Sequence, residues 1–355
     1  MELGSEYSLD VSTLSKTEDT LFHYLQDQFQ AAYYDSGRSA IRAFSGLLKS
    51  GDEILLPEFI CESVIRCFRL KDIRFYRIRD DFSVDIEDLQ QKINPKTRVL
   101  FLMHYFGSMQ SPETLQSIRE TADRYGCMVL EDTTHSIFTA VCTIGDYMVC
   151  SIRKWMPASS AGVLYFTRER SKLPEEKVRK SQDNSRMYGF ILKELFLKRQ
   201  LDCNREYREI FAECEEKLDR QYEILGLSDL NQFIIECNSI QEIIQRRKEN
   251  AVYLEERLKI ERPEVIPTIC WNREDCPFVF PLRVPERDAF RRYLMEHRVY
   301  SAIHWPKDEF MSVERKQAIK NARELISLPI DQRYGREHMN YLAETIRNYR
   351  GELAF

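Results

Sequence analysis

Cys127-Met128-Val129-Leu130-Glu131-Asp132 is the stretch of the chain that decides the fold, because a short apolar run ends there in two carboxylates. Such a run predicts a buried strand that delivers its acidic residues to the carboxyl edge of a sheet. Further along, residues 145–166 have the pattern of a strand, a loop and a second strand, and Lys154 lies in the loop. The sequence therefore predicts a carboxylate and a lysine near one edge of the same sheet.

Short apolar runs alternate with amphipathic ones through residues 35–167. Strands are predicted at residues 53–57, 74–78, 99–103 and 128–130, and helices at residues 39–49, 61–70, 86–92 and 112–125. Apolar strands separated this regularly by helices are typical of a mostly parallel sheet covered by helices on both faces. Gly51 and Gly126 follow predicted helices, where helices commonly end. We therefore expect an α/β fold.

The rest of the chain has a different pattern. Residues 168–225 are charged and helical, and the basic clusters at 177–180 and 198–199 are typical of a solvated helix face. Beyond them the prediction is a helix at 241–258, a strand at 277–282, a helix at 287–297, a short strand at 327–329 and a terminal helix. This order predicts an N-terminal arm with a large α/β domain at residues 1–235, and a small α+β domain at residues 236–355.

The composition is that of a globular protein, since 43% of the 355 residues are hydrophobic and 31% are charged. The net charge of -5 argues against binding of nucleic acid or an anionic membrane as the main task, because neutralising phosphates requires a basic face. The N-terminus lacks the basic and apolar regions of a signal peptide, and the longest apolar stretch, at residues 99–106, is too short to cross a bilayer. We expect a cytoplasmic protein.

The ten cysteines, Cys142 among them, are scattered along the chain. None has the paired C-x-x-C spacing that indicates a zinc site or a redox centre. We expect free thiols in a reducing compartment and no metal site.

Ser36-Gly37-Arg38-Ser39-Ala40 precedes a predicted helix and has the residue types of a phosphate site. Backbone N–H groups at a helix N-terminus, a glycine that permits close approach and a serine hydroxyl together suit a phosphate. Ser39 is equally typical of an N-cap residue that binds no ligand. Arg38 adds a positive charge.

Glu131-Asp132-Thr133-Thr134-His135 and Lys154 supply the remaining chemistry. A neutral lysine amine attacks an aldehyde, and a carboxylate keeps a pyridine nitrogen protonated, so Lys154 and Asp132 are the two groups that a pyridoxal phosphate enzyme requires. Arg153 beside the lysine adds positive charge that favours the neutral amine. Taken singly, Asp132 is also typical of a helix cap and Lys154 of a solvated surface lysine.

These segments, in this order, resemble the DegT/StrS family of sugar aminotransferases, within the fold type I pyridoxal phosphate enzymes. The family motifs S-G-T-x-A-L, G-D-E-V-I-x-P, P-K-T-K, V-H-x-Y-G and E-D-A-A-Q/H are similar to residues 36–41, 51–57, 95–98, 103–107 and 131–135. Near the C-terminus, the R-D, H-W/Y-P and S-L-P signatures are similar to Arg287-Asp288, His304-Trp305-Pro306 and Ser327-Leu328-Pro329. The likeness implies a large domain with a mostly parallel, seven-stranded type of sheet and a smaller C-terminal domain.

The resemblance also implies roles for individual residues. Lys154 carries the cofactor and shuttles the proton, Asp132 pairs with the pyridine nitrogen, and His135 approaches the ring oxygen. His104 is a candidate for the pocket wall. The residues expected around the phosphate are Gly37, Arg38, Ser39 and Ser151.

The implied reaction passes an amino group from glutamate, through pyridoxal 5'-phosphate, to a keto sugar carried on a nucleotide, for amino-sugar and polysaccharide biosynthesis. The family acts as a homodimer with both sites at the interface. Two alternatives stay open: the same cofactor with another small keto substrate, and a catalytically inactive or regulatory member of the fold. A dehydratase is disfavoured, since members of that branch carry histidine where this chain has Lys154.

The chain departs from the family pattern beside the lysine. Ser151 lies closer to Lys154 than the family's serine does, and the glycine-rich loop after the lysine is replaced by residues 155–162. The position that stacks an aromatic ring on the cofactor holds Cys61, with Phe59 nearby as a substitute. The family's G-x-N-x-R-M segment, which reaches into the partner's site, is absent around residues 230–235.

Overall fold

The structure is a computed structural model and describes residues 1–68, 71–139, 143–167, 178–307, 310–312 and 314–354. Cys142, the end of the helix predicted at 61–70 and the start of the charged region at 168–177 lie outside the described residues. The described strands are β1 (Leu3–Gly4), β2 (Gln30–Tyr34), β3 (Glu53–Pro57), β4 (Asp72–Tyr76), β5 (Thr97–Met103), β6 (Met128–Asp132), β7 (Tyr147–Cys150), β8 (Gly162–Phe166), β9 (Phe280–Arg283), β10 (Val299–Tyr300) and β11 (Leu325–Leu328). The described α-helices are α1 (Leu21–Gln26), α2 (Gly37–Ser45), α3 (Glu62–Ile65), α4 (Ile86–Lys92), α5 (Pro112–Tyr125), α6 (Ser185–Leu197), α7 (Asn204–Arg220), α8 (Asp229–Glu236), α9 (Ile240–Glu261), α10 (Arg287–Glu296), α11 (Lys316–Glu324) and α12 (Arg336–Asn348). No helix within these ranges is long and apolar enough to span a membrane.

Seven of the described strands form one sheet, in the order β2-β8-β7-β6-β5-β3-β4. Strands β4, β3, β5, β6 and β7 are parallel to one another, while β8 runs antiparallel to both β7 and β2. This sheet confirms the predicted α/β class. Because parallel strands end on the same side, the carboxyl ends of β3, β5, β6 and β7 meet at one edge. The carboxyl end of β2 lies at this edge too. β2 is antiparallel to β8, which is itself antiparallel to β7, so β2 runs in the same direction as β7.

The sheet is apolar on both faces, which is why its strands read as continuous apolar runs in the sequence. Side chains alternate between the two faces along each strand. In β5, Leu100 shares one buried cluster with Ile118 of α5, whereas Val99 shares another with Phe44 of α2. Helices therefore cover the sheet from both sides, as predicted.

Local sequence signals set the bounds of several elements. β3, α4 and α5 have the predicted bounds. α5 begins after Ser111, whose Oγ accepts the backbone N–H of Thr114 at 3.2 Å, and it ends at Gly126 in the left-handed region. A serine N-cap and a glycine C-cap are the strongest end signals that a helix has, so these bounds were predictable.

Other elements differ from the prediction. The 39–49 helix instead begins at Gly37, because Ser36 caps it, and the strand expected from residue 277 begins only at Phe280. Only a short α-helix and a 3-10 turn, Arg66–Phe68, occupy the described part of 61–70. β2 was missed, because only Tyr34 at its end is buried and its apolar pattern is weak.

Most elements after residue 240 contribute to one buried cluster, whereas Ala318 and Ala322 of α11 belong to a cluster of the large sheet. Leu254 of α9, Phe280 of β9, Leu294 of α10 and Leu342 of α12 belong to the first cluster. β9 pairs antiparallel with β11, and the N-terminal arm joins this region through parallel pairing of β1 with β10. A separate core of helices and a small sheet supports a C-terminal α+β domain, and the boundary between residues 235 and 236 remains a proposal.

Candidate active site

A cavity of about 320 Å³ lies at the carboxyl edge of the seven-stranded sheet. Its size is at the lower end of the range for small-molecule sites, roughly 300–1,000 Å³. The lining residues are Ser36, Gly37, Arg38, Ile41, Ile60, Cys61, Ser63, Val64, Met103, Asp132, Thr134, Ser151, Arg153, Lys154, Glu215, Leu218, His304 and Trp305. The structure thus brings together six of the predicted site residues: Gly37, Arg38, Cys61, Asp132, Ser151 and Lys154.

The N-terminus of α2 forms one wall of the cavity. Ser36 is its N-cap residue, and the Ser36 Oγ accepts the backbone N–H of Ser39 at 3.1 Å. The interpretation of Ser39 as the N-cap is therefore wrong, and Ser39 lies buried in the first turn. The first N–H groups of a helix lack partners within it and carry the positive end of its dipole. An anion bound beside Gly37 and Arg38 would meet both.

Two glycines allow this helix end to sit close to the sheet. A Cβ on Gly162 would lie 2.2 Å from the carbonyl carbon of Ser36 and 2.4 Å from the nitrogen of Gly37. A Cβ on Gly37 would lie 3.0 Å from the Cβ of Ser151. Real Cβ atoms do not approach other atoms at 2.2 Å. The glycines at 37 and 162 therefore set the spacing between α2, β8 and the segment after β7.

Asp132 is the last residue of β6, and its buried carboxyl group lines the cavity. Its Oδ1 accepts the backbone N–H of Thr134 at 2.9 Å. Burial raises the pKa of this carboxyl group, against the hydrogen bonds from Thr134 and the charge of Lys154. A cation placed against the carboxylate would favour its charged form. Asp132 is not a helix cap, because turns follow β6.

Lys154 ends a one-turn 3-10 helix, Ile152–Lys154, that follows Ser151. It is half-buried and lines the cavity, so it is not a solvated surface lysine. Burial lowers the pKa of its amine, Cys61 and Asp132 oppose this effect, and Arg153 adds to it. A lowered pKa increases the neutral fraction of the amine, which is the form that attacks a carbonyl carbon.

Helix α7 forms a wall that the sequence analysis missed. Glu215 of α7 lines the cavity, and its Oε1 lies 2.9 Å from Arg153 Nη1 and 2.5 Å from Arg186 Nη2. Further along the helix, Asp219 Oδ1 lies 2.8 Å from Arg38 Nη1. In the sequence, these residues belong to a charged helical segment. Such a segment is equally typical of a helix face exposed to solvent, so the sequence did not indicate that Glu215 and Asp219 belong to the site.

His135 lies buried behind the wall of the cavity and is not among its lining residues. Its ring is stacked between Phe278, at 4.3 Å between ring centroids, and Trp305, at 5.6 Å. Neither ring nitrogen has a hydrogen-bond partner among the described residues. Burial lowers the pKa of His135 well below its usual value, so the ring is neutral. Unpartnered buried nitrogens are uncommon, and they leave capacity for a polar ligand atom.

Phe59 does not reach the lining either. Its ring is buried beside Tyr105, at 5.9 Å between centroids, and meets the edge of Trp305 at 5.0 Å. The aromatic residues in the lining are instead Trp305 and His304, and Cys61 lines the same cavity. His104 also lies away from the lining, where its Nε2 is 3.3 Å from Glu131 Oε2.

Comparisons with known proteins agree with this geometry. The model of the class I and II aminotransferase family matches residues 9–148. The dTDP-3-amino-3,6-dideoxy-alpha-D-galactopyranose transaminase of Aneurinibacillus thermoaerophilus is 24% identical over 330 residues, which cover 87% of this chain and 81% of that protein. The chain is a pyridoxal-phosphate-dependent aminotransferase, and it is similar to sugar aminotransferases. The predicted resemblance is thereby confirmed.

Two solved structures share the fold of this aminotransferase. PseC of Helicobacter pylori, an aminotransferase involved in the biosynthesis of pseudoaminic acid, has a TM-score of 0.66 with 15% identity, over 98% of each chain. Spr1654 of Streptococcus pneumoniae, assigned as a sugar aminotransferase and solved in its PLP-form, has a TM-score of 0.69 with 12% identity, over 98% of each chain. The fold is that of the fold type I enzymes, as expected.

The residues present fit the cofactor of this aminotransferase. The N-terminus of α2 suits the phosphate, the half-buried Lys154 suits the aldehyde, and Asp132 suits a protonated pyridine nitrogen. All of them line one cavity. His135 adds two unpartnered ring nitrogens behind the wall.

Proposed function

We propose that this aminotransferase transfers an amino group from glutamate to a nucleotide-linked keto sugar, in the biosynthesis of amino sugars and polysaccharides. The observation that carries the proposal is the convergence of Lys154 and Asp132 on one cavity, beside the capped N-terminus of α2. A desolvated amine, a buried carboxylate and an anion site in one cavity are what pyridoxal phosphate needs, and the three come from distant parts of the chain.

Pyridoxal phosphate, when bound, supplies the electron sink for the carbon atom that carries the amino group. Lys154 holds the cofactor and moves the proton at that carbon atom through its Nζ, because its lowered pKa allows the amine to both accept and release a proton. Asp132 holds the positive charge on the pyridine nitrogen. In return, that charge stabilises the ionised form of a carboxyl group whose pKa is raised by burial.

The phosphate end is assigned to Gly37, Arg38, Ser39 and Ser151. Gly37, Arg38 and Ser151 line the cavity, which supports direct contacts. Ser39 does not line the cavity, and its backbone N–H and its hydroxyl both bond to Ser36 Oγ at 3.1 Å, so a contact with the phosphate requires the Ser39 hydroxyl to turn away from Ser36. Arg38 pairs with the exposed Asp219, and a phosphate offers its guanidinium a second anion.

The ring of the cofactor is assigned to Cys61, Trp305 and His135. Cys61 and Trp305 line the cavity. The Trp305 ring stacks on the His135 ring, so His135 contacts the ring oxygen of the cofactor only if the Trp305 side chain moves aside. Phe59 supports Trp305 from behind, so its contribution to cofactor binding is indirect.

The substrate class follows from the relatives. The relative from Aneurinibacillus thermoaerophilus is named for a sugar linked to dTDP, and PseC takes part in the biosynthesis of pseudoaminic acid. Glutamate is the amino donor that the family resemblance implies. The same resemblance and the net charge of -5 support a cytoplasmic homodimer that binds neither nucleic acid nor membranes.

The first test mixes the purified protein with pyridoxal phosphate. We expect a visible absorption band, and reduction with borohydride followed by peptide mapping should find the cofactor on Lys154. Lys154→Ala should bind the cofactor without a covalent link and lose turnover. Lys193→Met is a matched control, since burial lowers the pKa of this lysine as well, to about 8, but Lys193 contacts Ser5 and does not line the cavity. Label on another lysine of the wild type would refute the assignment.

The second test separates the possible reactions. Glutamate should bleach the band, and members of a panel of nucleotide-linked keto sugars should then restore it. If small keto acids restore the band and no sugar does, the enzyme uses the same cofactor on a different substrate. If glutamate and other amino donors leave the band unchanged, the protein is an inactive member of the fold.

A further inference from the structure

The two C-terminal signatures, H-W-P and S-L-P, meet at one hydrogen bond. His304 Nδ1 lies 2.8 Å from the Oγ of Ser327. Ser327 is buried in β11, and its backbone exchanges two hydrogen bonds with Ala302, at 2.9 and 3.2 Å. The segment that carries His304 is thus tied to β11 through both its backbone and its side chain.

The His304 ring lies in the wall of the cavity that Lys154 and Asp132 also line. Its edge faces the rings of His135, at 5.2 Å between centroids, and Phe106, at 5.7 Å. An aromatic environment of this kind excludes water, which strengthens any hydrogen bond that the ring makes to a ligand. The proposed function gives His304 no role so far.

The hydrogen bond to Ser327 selects one tautomer of His304. A buried serine hydroxyl needs an acceptor for its proton, and among the described residues Ser327 Oγ has His304 Nδ1 as its one side-chain partner. Ser327 therefore donates to Nδ1, and the ring proton of His304 lies on Nε2. Nε2 has no hydrogen-bond partner among the described residues, so it is the donor that His304 offers to the cavity.

The ring is also uncharged. Burial lowers the pKa of His304 to about 3, and the positive charge of Lys154 contributes. A neutral donor suits an uncharged oxygen atom. A carboxylate of an amino donor is better matched by a charged group such as the guanidinium of Arg153 in the same lining.

We infer that His304 is a specificity-determining residue for the sugar substrate, to which its Nε2–H donates a hydrogen bond at a hydroxyl or carbonyl oxygen close to the reacting carbon. Ser327 is a positioning residue, because it acts by fixing the tautomer and the orientation of the His304 ring. The inference deepens the proposed function and rests on it. It predicts that sugar substrates depend on His304 and that glutamate does not.

The kinetic experiment compares two amines that start from the same cofactor-loaded enzyme: L-glutamate and dTDP-3-amino-3,6-dideoxy-alpha-D-galactopyranose. Each should bleach the cofactor band in a single half-reaction. In His304→Phe the sugar half-reaction should slow by about tenfold, the loss expected for one neutral hydrogen bond, while the glutamate half-reaction stays within about twofold. His304→Gln keeps an N–H near the Nε2 position and should recover part of the loss. Ser327→Ala should fall between wild type and His304→Phe.

The matched control is His297→Phe, since the exposed His297 also engages a neighbour through Nδ1 but lies outside the lining. It should leave both half-reactions unchanged. Equal slowing of both half-reactions in His304→Phe, or no slowing of either, overturns the inference.

A second measurement does not depend on which sugar reacts. Long-range nitrogen–proton NMR spectra of the full-length, cofactor-loaded enzyme should show a neutral histidine protonated on Nε2 from pH 6 to 8, identified by its loss in His304→Phe. A charged ring, or a proton on Nδ1, overturns the inference. If the wild type reacts with glutamate but with no sugar of the panel, the proposed function fails and the specificity role of His304 fails with it, while these spectra still decide whether Ser327 fixes the tautomer of His304.

Discussion

Arg153 and Glu215 form an ion pair, 2.9 Å between Nη1 and Oε1, that ties α7 to the 3-10 turn carrying Lys154. Glu215 also accepts a hydrogen bond from Arg186, which reaches Glu6 at 2.8 Å. Burial raises the pKa of the Glu215 carboxyl group, but the charges of Arg153 and Arg186 outweigh burial and hold that pKa below its usual value. The ionised carboxylate therefore stabilises the fold.

Glu215→Gln should lower the free energy of unfolding at pH 7 by about 1 kcal/mol, because two charge-assisted hydrogen bonds to a partly exposed carboxylate become neutral ones. The contribution of Glu215 is complete above the pKa of an unfolded glutamate, and it is lost as the pH falls through the lower pKa of the folded state. Wild type and variant should thus converge in stability in acid. Urea unfolding between neutral pH and acid measures the difference.

Glu216→Gln is the matched control for this prediction. Glu216 is the next residue of the same helix and pairs with Arg220, and both side chains are exposed. Exposed pairs of this kind contribute about 0.5 kcal/mol or less. Losses of equal size in the two variants would show that the Arg153–Glu215 pair has no special role.

The sheet could be predicted from the sequence because its signals are local. β3 and β5 are runs of apolar residues, and α5 has a serine cap and a glycine end within its own segment. Asp132 ends one predicted strand and Lys154 follows the next, so the sequence predicted both residues at the same edge of the sheet. Any pair of residues that follows parallel strands directly is predictable in this way.

The wall formed by α7 could not be predicted, because it depends on contacts between distant segments. Glu215 is 62 residues from Arg153 in the chain, and its own surroundings read as an ordinary charged helix. His135 shows the same limit at shorter range. It follows Asp132 closely, but Phe278 and Trp305 from the C-terminal half enclose its ring and hold it behind the cavity wall.

Lys154→Met should stabilise the cofactor-free protein. Burial lowers the pKa of Lys154, so the folded state binds fewer protons than the unfolded state between the folded pKa and that of an ordinary lysine. The penalty is complete below the folded pKa and is relieved as the pH rises. The variant should therefore have a higher Tm than the wild type at pH 7, and this gain should shrink towards pH 10.

Calorimetry of the cofactor-free proteins across this pH range measures the effect. Lys198→Met is the control of opposite sign, since Asp10 and Glu194 raise the pKa of the surface residue Lys198. Its Tm should stay unchanged or fall. A lower Tm in Lys154→Met would mean that the amine is better solvated in the folded state than its surroundings indicate.

Asp132→Asn should keep the cofactor bound to Lys154 and slow the glutamate half-reaction by roughly 10²–10³-fold, the cost of removing one key electrostatic partner. The amide has nearly the same shape as the carboxyl group but cannot hold a positive charge on the pyridine nitrogen. Stopped-flow absorbance of the loaded enzyme measures the rate. An unchanged rate would show that Asp132 is not the partner of that nitrogen.

Glu131→Gln controls for damage to the strand end. Glu131 is equally buried, but its Oε1 accepts the backbone N–H of Ile144 at 2.6 Å and its Oε2 faces His104, away from the cavity lining. This variant should lose stability, yet its half-reaction rate per loaded site should stay within about twofold. A rate loss equal to that of Asp132→Asn would point to general disorder of β6.

Gly162→Ala tests whether the spacing between β8 and α2 builds the phosphate end of the cavity. The new Cβ would lie 2.2 Å from the backbone of Ser36, so the N-terminus of α2 must move. Overpacking of this kind costs about 1–3 kcal/mol of stability. Because the displaced residues Ser36 and Gly37 also line the cavity, the affinity for pyridoxal phosphate should fall as well.

Gly226→Ala is the matched control, since its Cβ would meet the nearest atom at an ordinary 3.4 Å. Cofactor titration followed by fluorescence, together with thermal unfolding, separates the two effects. Gly162→Ala should lose both stability and cofactor affinity, whereas Gly226→Ala should keep the affinity of the wild type. If Gly162→Ala binds the cofactor normally while losing stability, then α2 tolerates displacement, and the phosphate site depends on side chains such as Arg38 more than on the helix end.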